Sequence, residues 1–243
     1  MKLFRPILLI ILSVIAQQMQ AHHGKDYLNT ATCVTPHAGS LCAHLSAQYF
    51  GEDHGMEAYQ LFSPGIIYGL TNDLGIELHS HFTRTTTHSH LEALALETRY
   101  SFFVEHSEHF HADESSNPFS LAASVEFEQG MEEHPNILES RLIIGKELGI
   151  IALVGNVIVL KEFEEGQHAQ IRFALGMRTN FTQTIGLSVE LLNGNHHSNG
   201  PQMGLSCSVS PMKKIDLQFG MNITSMNNET NISSLQAMMM YTL

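Results

Sequence analysis

The chain has 243 residues, of which 15% are charged and 43% hydrophobic, and its formal net charge is -12. An excess of 24 Asp and Glu over 12 Lys and Arg argues against nucleic acid as a partner, because phosphate binding needs a basic face. The low charge and a mean hydropathy of -0.02 argue against disorder. The longest apolar run lies at the N-terminus and falls short of the roughly 20 residues of a spanning helix, which argues against a helical membrane protein.

The first 21 residues have the features of a secretory signal peptide. Lys2 and Arg5 form a positive n-region, and Pro6 to Ala16 form the apolar core. Cleavage after Ala21 makes His22 the new N-terminus, while Ala16 is the alternative cleavage point. An uncleaved anchor helix is the competing interpretation, and it is disfavoured because the apolar core is short. We therefore expect an exported chain.

The remaining sequence alternates between apolar and polar residues with period 2, in stretches of about ten residues separated by turn-rich gaps. Leu74, Ile76 and Leu78 alternate with Gly75, Glu77 and His79, for example. Clear stretches lie at 41–49, 74–82, 94–102, 119–127, 169–178, 185–191 and 215–223, and weaker ones at 60–70, 137–146, 150–160, 203–210 and 232–243. About twelve strands result, and bacterial barrels require an even number.

The gaps between these stretches alternate in length, as in an outer-membrane barrel with short periplasmic turns and longer outer loops. Thr71 to Asp73 is a short turn, for instance, and Thr83 to His90 is a longer polar gap. The segment Val104 to Pro118 departs from this rule, since it is long but falls on the short-turn side. We expect a signal peptide at 1–21, a periplasmic N-terminal segment at 22–40 and an all-β transmembrane antiparallel barrel at 41–243. A secreted β-sandwich is the alternative.

Ser63 to Ile76 (SPGIIYGLTNDLGI) carries a family resemblance. It resembles the P-x-x-x-Y-G-L-T-D-x-L-x-x-G hairpin of a transporter-like family of bacterial outer-membrane proteins, also described as the phenol meta-cleavage pathway type. Glu139 to Gly149 and Phe173 to Glu190 are similar to later hairpins of that family. The resemblance implies a barrel of about twelve strands that passes or senses small solutes.

Charged residues share the polar face of the strands, which in a barrel must face the lumen because a charge facing lipid costs roughly 2–4 kcal/mol at the midplane. They could form salt-bridge networks that close the barrel or line a narrow passage. The expected lumen-lining residues are Glu97, Arg99, Glu126, Glu139, Arg141, Arg172, Arg178, Glu190 and Asp216.

Histidine is enriched, with 16 residues, and imidazole is a common ligand of Zn and Cu. One expected metal site lies in a hairpin formed by Glu77, His79, His81, His88 and His90. If that hairpin closes near Thr85 and Thr86, His81 lies opposite His90. The alternative is that these residues are simply polar. The His-rich stretch 105–114 and the His22-His23 pair are looser candidates.

Two further hypotheses concern single residue pairs. His196 to Gly200 (HHSNG) is similar to the active-site segment of the outer-membrane phospholipase A family, which implies an alternative lipid hydrolase with His196 as base and Ser198 as nucleophile. Cys33 and Cys42 are close in sequence, and a disulfide between them is possible in an oxidising compartment. The sequence leaves the oligomeric state open.

Overall fold

Twelve antiparallel strands close into one barrel, and this confirms the fold class expected from the alternation. The computed structural model describes residues 27, 29–51, 58–103, 119–131, 134–182, 184–193, 201–212, 214–226 and 229–243. The strands are β1 (Leu41–Phe50), β2 (Tyr59–Gly69), β3 (Leu74–Arg84), β4 (Ser89–Phe103), β5 (Ser120–Gly130), β6 (Ile137–Leu148), β7 (Ile151–Glu162), β8 (Gln170–Asn180), β9 (Ile185–Leu192), β10 (Gln202–Met212), β11 (Ile215–Met226) and β12 (Glu229–Thr242). No helix long and apolar enough to cross a membrane occurs in this part of the chain.

Each strand pairs with its neighbours in sequence, and β1 pairs with β12 to close the sheet. In that closing pair Cys42 lies opposite Thr242 and Phe50 opposite Ser234. Closure leaves no sheet edge with unpaired backbone groups, and this is what allows strands to cross a lipid bilayer. Most strands have 10 to 12 residues, close to the 9–11 that a tilted spanning strand needs.

The two faces of the sheet differ sharply because side chains alternate along each strand. Leu78, Leu96 and Phe173 on the outer face are 50%, 49% and 51% exposed, whereas Glu77, Glu97 and Ala174 beside them are buried. A continuous apolar outer surface is unstable in water and suits contact with lipid. The inner face carries the charged, amide and hydroxyl side chains.

The segment before β1 lies inside the barrel. Thr30, Ala31, Thr32, Cys33 and Thr35 are all buried. Thr30, Ala31 and Cys33 bond to inner-face residues of β9, β7 and β6, and Thr35 donates to the Asn72 carbonyl in the turn between β2 and β3. This differs from the sequence expectation of a periplasmic segment at 22–40, as far as the described residues 27 and 29–40 are concerned. We call residues 27 and 29–40 the lumen segment. Its backbone can enter the barrel because inner-face side chains bond its polar groups.

The cysteines of the expected disulfide are separate in the structure. Cys33 Sγ lies 3.6 Å from the carbonyl oxygen of Ile143 on β6, and Cys42 Sγ lies 3.8 Å from Thr242 Oγ1 on β12. Both are buried free thiols that belong to different hydrophobic clusters. The disulfide is therefore not formed, because the lumen segment carries Cys33 away from the start of β1.

Candidate functional site

Four glutamates lie directly opposite one another on neighbouring strands of the inner wall. The strand register pairs Glu77 with Glu97, Glu97 with Glu126, and Glu126 with Glu139. We call this row across β3, β4, β5 and β6 the acidic ladder. Like charges directly opposite each other destabilise a sheet, so the row requires compensation from neighbouring groups.

Arginines in the next row supply much of that compensation. The register of this row runs from Gly75 through Arg99, Ser124 and Arg141 to Ile158. Arg99 donates from Nη2 to Glu97 Oε1 at 2.8 Å, and Arg141 donates from Nε to Glu139 Oε1. Both pairs join residues i and i+2 of one strand, whose side chains share a face. The alternating Glu and Arg rows form a connected charged patch on the lumen wall.

Histidines from two strands meet the first glutamate of the ladder. His44 Nε2 lies 2.9 Å and His79 Nδ1 3.1 Å from the same oxygen, Glu77 Oε1. A Cβ on Gly65 would lie 2.3 Å from His44 Nε2 and 2.7 Å from His79 Cβ, so only glycine leaves space for the two rings. His81 continues the group, with its Nδ1 2.8 Å from Ser63 Oγ and its Nε2 3.9 Å from Glu128 Oε2.

The five residues of the expected metal site do not all lie together in the structure. Glu77, His79 and His81 lie together on the inner wall, but His90 lies opposite Thr83 rather than opposite His81. The expected His81–His90 pairing is wrong because the hairpin does not close at Thr85 and Thr86: residues 85–88 form the turn, so Arg84 pairs with Ser89 and Thr83 with His90. A β-bulge beyond these pairs then places His81 opposite Ala93. His88 lies in the exposed turn, where its backbone carbonyl accepts a hydrogen bond from the Thr85 amide at 2.9 Å.

The other expected lumen residues also point inward and bond to neighbours there. Arg172 donates from Nη2 to Gln170 Oε1 at 2.6 Å, and Arg178 donates from Nε to Asn180 Oδ1 at 3.0 Å. Asp216 accepts a hydrogen bond from Ser210. Because these partners lie on the wall itself, this side of the lumen is polar without a row of like charges.

Glu190 holds the lumen segment directly. Its Oε2 accepts hydrogen bonds from the Asn29 amide at 2.8 Å and from Thr30 Oγ1 at 2.9 Å, and its side chain is fully buried. Asn222 Oδ1 adds a bond from Asn29 Nδ2 at 2.9 Å. Asn156 pairs with the segment like a neighbouring strand, since Oδ1 accepts from the Ala31 amide at 2.8 Å and Nδ2 donates to the Ala31 carbonyl at 3.0 Å.

Inner-face glycines make space for the same segment. A Cβ on Gly176 would lie 2.8 Å from the Tyr27 ring, and one on Gly69 would lie 2.1 Å from the His37 carbonyl oxygen. A Cβ on Gly204 would make a tight contact of 3.2 Å with Asn29 Nδ2, and one on Gly145 an ordinary contact of 3.4 Å with Cys33 Sγ. Glycine within a strand commonly marks the close approach of another backbone. These glycines shape the wall to the segment.

Cys33 lies in a small apolar cluster between the segment and the wall. Tyr27, Ala31, Ala122, Ile143 and Val154 are its other buried members. Burial raises the pKa of the Cys33 thiol to about 12, with the nearby Arg99 charge opposing the effect in part. A nearby cavity of about 20 Å³ has room for about one water molecule. It lies between Thr35 and Pro36 of the segment and Glu77, Glu97 and Arg99 of the wall.

Sequence reasoning missed the roles of His44, Asn156 and Asn222, which lie on ordinary alternating strands. Glycines at inward positions such as Gly145, Gly176 and Gly204 were the available signal for the segment. The expected signal peptide, the His22-His23 pair, the stretch 105–114 and the pair His196 and Ser198 lie outside the described residues. The lipid-hydrolase alternative therefore stays a prediction.

Comparison with solved structures places the fold. No family model and no curated protein matches the sequence. The KdgM porin is similar with a TM-score of 0.56 at 10% identity, covering 82% of this chain and 98% of that one. The NanC porin is similar with a TM-score of 0.54 at 6% identity, covering 82% of this chain and 97% of that one. An outer membrane channel from Pseudomonas putida F1 gives 0.50 at 13% identity, covering 89% and 100%. Identities this low show likeness of fold.

A closed antiparallel barrel with an apolar outer surface and a charged lumen defines the class of this protein, a β-barrel of the bacterial outer membrane. Within that class its fold is porin-like. The closer relation to the phenol meta-cleavage type stays a prediction.

Proposed function

We propose that the protein is an outer-membrane channel for small solutes, and that the lumen segment controls its opening. The observation that carries this proposal is the acidic ladder with its arginine row on the inner wall. Charged side chains on a barrel interior are stable where water and ions reach them, and a wall of this kind selects what passes. The porin-like fold supports the same function.

The solute class follows from the sign of the wall charge. Among the described residues, the inner faces of β3 to β6 carry more carboxylates than guanidinium groups, namely Glu77, Glu97, Glu126, Glu128 and Glu139 beside Arg99 and Arg141. An excess of carboxylates lowers the energy of cations in a narrow passage and raises that of anions. One structure of the KdgM porin is a complex with oligogalacturonate, an acidic sugar. We infer the opposite preference here, for cationic or neutral solutes.

The lumen segment is the proposed gate, because residues 29–36 lie inside the barrel, where a solute would have to pass. A disulfide lock tests this role. A Cβ on Gly145 would lie 3.4 Å from Cys33 Sγ, so Gly145→Cys places a partner thiol within the range of disulfide geometry. Oxidation of this variant would tie the segment to β6, and reduction would release it.

Planar-bilayer recording of the refolded mature protein is the experiment. We expect single-channel steps from the wild type, with a reversal potential in a KCl gradient that favours the cation. The oxidised Gly145→Cys variant should conduct several-fold less than its reduced form. The matched control Cys33→Ser/Gly145→Cys keeps Cys42 and Cys207 and should not respond to oxidation. Equal currents from the oxidised and reduced variant would exclude the segment as the gate, while silence from the wild type and the reduced variant would contradict the channel itself.

Metal responsiveness belongs to the same proposal. His79 and His81, with Glu77 and His44 close by, present imidazole and carboxylate ligands of the kind that bind Zn or Cu. We propose that Zn bound to this lumen group lowers the conductance. The double variant His79→Ala/His81→Ala should conduct without a response to Zn, and the exposed-turn variant His88→Ala should respond like the wild type. A Zn response that survives the double variant would exclude the lumen histidines.

A further inference from the structure

A second group of potential metal ligands lies at the end of the barrel that carries the turn between β3 and β4. It consists of His90, Glu92 and His134 and shares no residue with the lumen histidines. His90 Nε2 lies 3.8 Å from Glu92 Oε1, and His134 Nε2 lies 3.6 Å from the same oxygen. One ligand atom from each of the three residues falls within 4.8 Å of the others. The two imidazole rings are nearly parallel, with centroids 6.2 Å apart.

The β-bulge in β4 brings the first two ligands together. The register passes from His81 opposite Ala93 to Phe82 opposite Leu91, so Glu92 is the extra residue. A bulge of this type re-aims side chains and shifts the alternation beyond it. Between the bulge and the turn, His90 lies opposite the inward-facing Thr83, and its Nε2 lies 3.8 Å from Glu92 Oε1.

The connection between β5 and β6 supplies the third ligand. Its Met131 amide donates to the Glu92 carbonyl at 2.7 Å, and the His134 amide donates to the Met131 carbonyl at 3.0 Å. Asn136 Oδ1 accepts from the Gly130 amide at 3.0 Å. A Cβ on Gly130 would lie 2.0 Å from the His134 carbonyl oxygen, so this tight return of the chain requires glycine. Backbone bonds therefore hold His134 above Glu92.

The distances between the three side chains fit an ion better than direct bonding. At 3.6 and 3.8 Å, both ring nitrogens are too far from Glu92 Oε1 for a hydrogen bond, which ends near about 3.2 Å. Ligand atoms around a tetrahedral zinc ion are separated by about 3.3 Å, given bond lengths of about 2.0–2.2 Å. The two distances to Glu92 exceed that value by a few tenths of an ångström, and the two imidazole nitrogens lie within 4.8 Å of each other, so side-chain rotations can close the geometry.

We propose that His90, Glu92 and His134 bind a divalent transition metal, with Zn, Cu or Ni as the chemical class. Two imidazoles and one carboxylate are a ligand set that such ions accept, and they leave the fourth position open to water or to a passing solute. The site would join the end of β4 to the connection between β5 and β6. It is separate from the lumen histidines and does not depend on the protein being a channel.

Calorimetric titration of the refolded mature protein with Zn tests the site. The wild type should show one more tight site than His134→Ala or Glu92→Gln, or the affinity of that site should fall at least tenfold in either variant. His88→Ala, which removes a nearby exposed imidazole outside the group, is the matched control and should titrate like the wild type. His79→Ala/His81→Ala should also keep the site of His90, Glu92 and His134, which separates it from the lumen group.

Cobalt reports the geometry independently of the heat signal. Co bound by three side chains and one water should give the strong visible absorption of a four-coordinate ion, and this band should disappear in His134→Ala. Equal zinc titrations and equal cobalt spectra for the wild type, His134→Ala and Glu92→Gln would overturn the proposal. Because no current is measured, a failure here leaves the channel proposal to be judged by its own recordings.

Discussion

The inner wall uses two different chemistries, one to hold the lumen segment and another on the acidic ladder. Around the segment, amides, Glu190 and glycines match individual backbone groups, as Asn156 does for Ala31. On the ladder, charges balance one another from row to row, as Arg141 does for Glu139. The first arrangement depends on fit and the second on charge. The two regions should therefore respond differently to substitution.

Arg141→Met should have the largest effect, because it leaves the ladder uncompensated. Arg141 interacts with Glu139, Glu97 and Glu126. Removing one partner of a buried ion pair typically costs about 3–5 kcal/mol, and we expect a loss in the free energy of unfolding near the lower end of that range because Arg141 and Glu139 are only partly buried. Denaturant unfolding of the refolded protein in lipid vesicles measures it.

Arg172→Met is the control for this substitution. Its guanidinium lies on the same face and donates to the neutral side chain of Gln170, while Glu139 and Glu162 act on it only through their charge. Losing this hydrogen bond of a charged donor should cost about 1.5 kcal/mol. Equal losses in the two variants would mean that the glutamate row needs no compensation. Adding Glu139→Gln to Arg141→Met should restore part of the stability, since it removes one of the unpaired charges.

Asn156→Ala should have the next largest effect, and it acts on the segment rather than on the ladder. It removes the partners of both the Ala31 amide and the Ala31 carbonyl, which are buried. An unsatisfied buried group costs about 1–3 kcal/mol, so the two together should cost at least about 2 kcal/mol unless the segment leaves the lumen. Conductance distinguishes the two results, because a released segment should open the channel.

Ser188→Ala is the matched control for Asn156→Ala. Ser188 is buried on the inner wall, and its hydroxyl is bonded to Ser206 on the neighbouring strand. Its loss should cost about 1 kcal/mol and leave the conductance unchanged. If Asn156→Ala unfolds and conducts like Ser188→Ala, the segment is not held by the paired amide bonds.

The sequence predicted the strands well because alternation and turn residues are local properties. The inward direction of Glu97, Arg99 and Arg141 follows from the same alternation. The alignment of Glu77, Glu97, Glu126 and Glu139 does not, since it depends on how neighbouring strands are shifted against each other. The pairing of His90 with Thr83 depends in the same way on where the turn at residues 85–88 closes, and alternation does not specify that position.

The lumen segment was missed for a different physical reason. Thr30, Thr32 and Thr35 are small polar residues without an apolar period, and in isolation they suggest a solvated linker. Their burial is made possible by residues distant in sequence, such as Glu190 and Asn156. Such contacts between distant residues leave no local pattern. The inward glycines of the wall were a signal in the sequence that a second backbone lies nearby.

The alkylation rate of Cys33 reports on the lumen segment without any substitution in it. Burial raises the pKa of Cys33 from 9.0 to about 12, so the neutral thiol dominates and the reactive thiolate is scarce. In a Cys42→Ser/Cys207→Ser background, alkylation of the folded protein at pH 8 should be slower than that of the urea-unfolded chain by roughly a thousandfold or more. The rate for the folded protein should keep rising about tenfold per pH unit beyond pH 9, where the unfolded chain levels off.

The alkylation rate of Cys33 also tests, without an engineered disulfide, whether the segment leaves the lumen. Asn156→Ala in the same background should speed alkylation, because a segment that leaves the lumen exposes Cys33 to water and returns its pKa toward the ordinary value. Arg141→Met should destabilise the barrel with a smaller effect on labelling, since it acts on the ladder. Fast labelling of the wild-type segment would show that it leaves the lumen readily, and the contrast between a fitted segment and a charged wall would then fail.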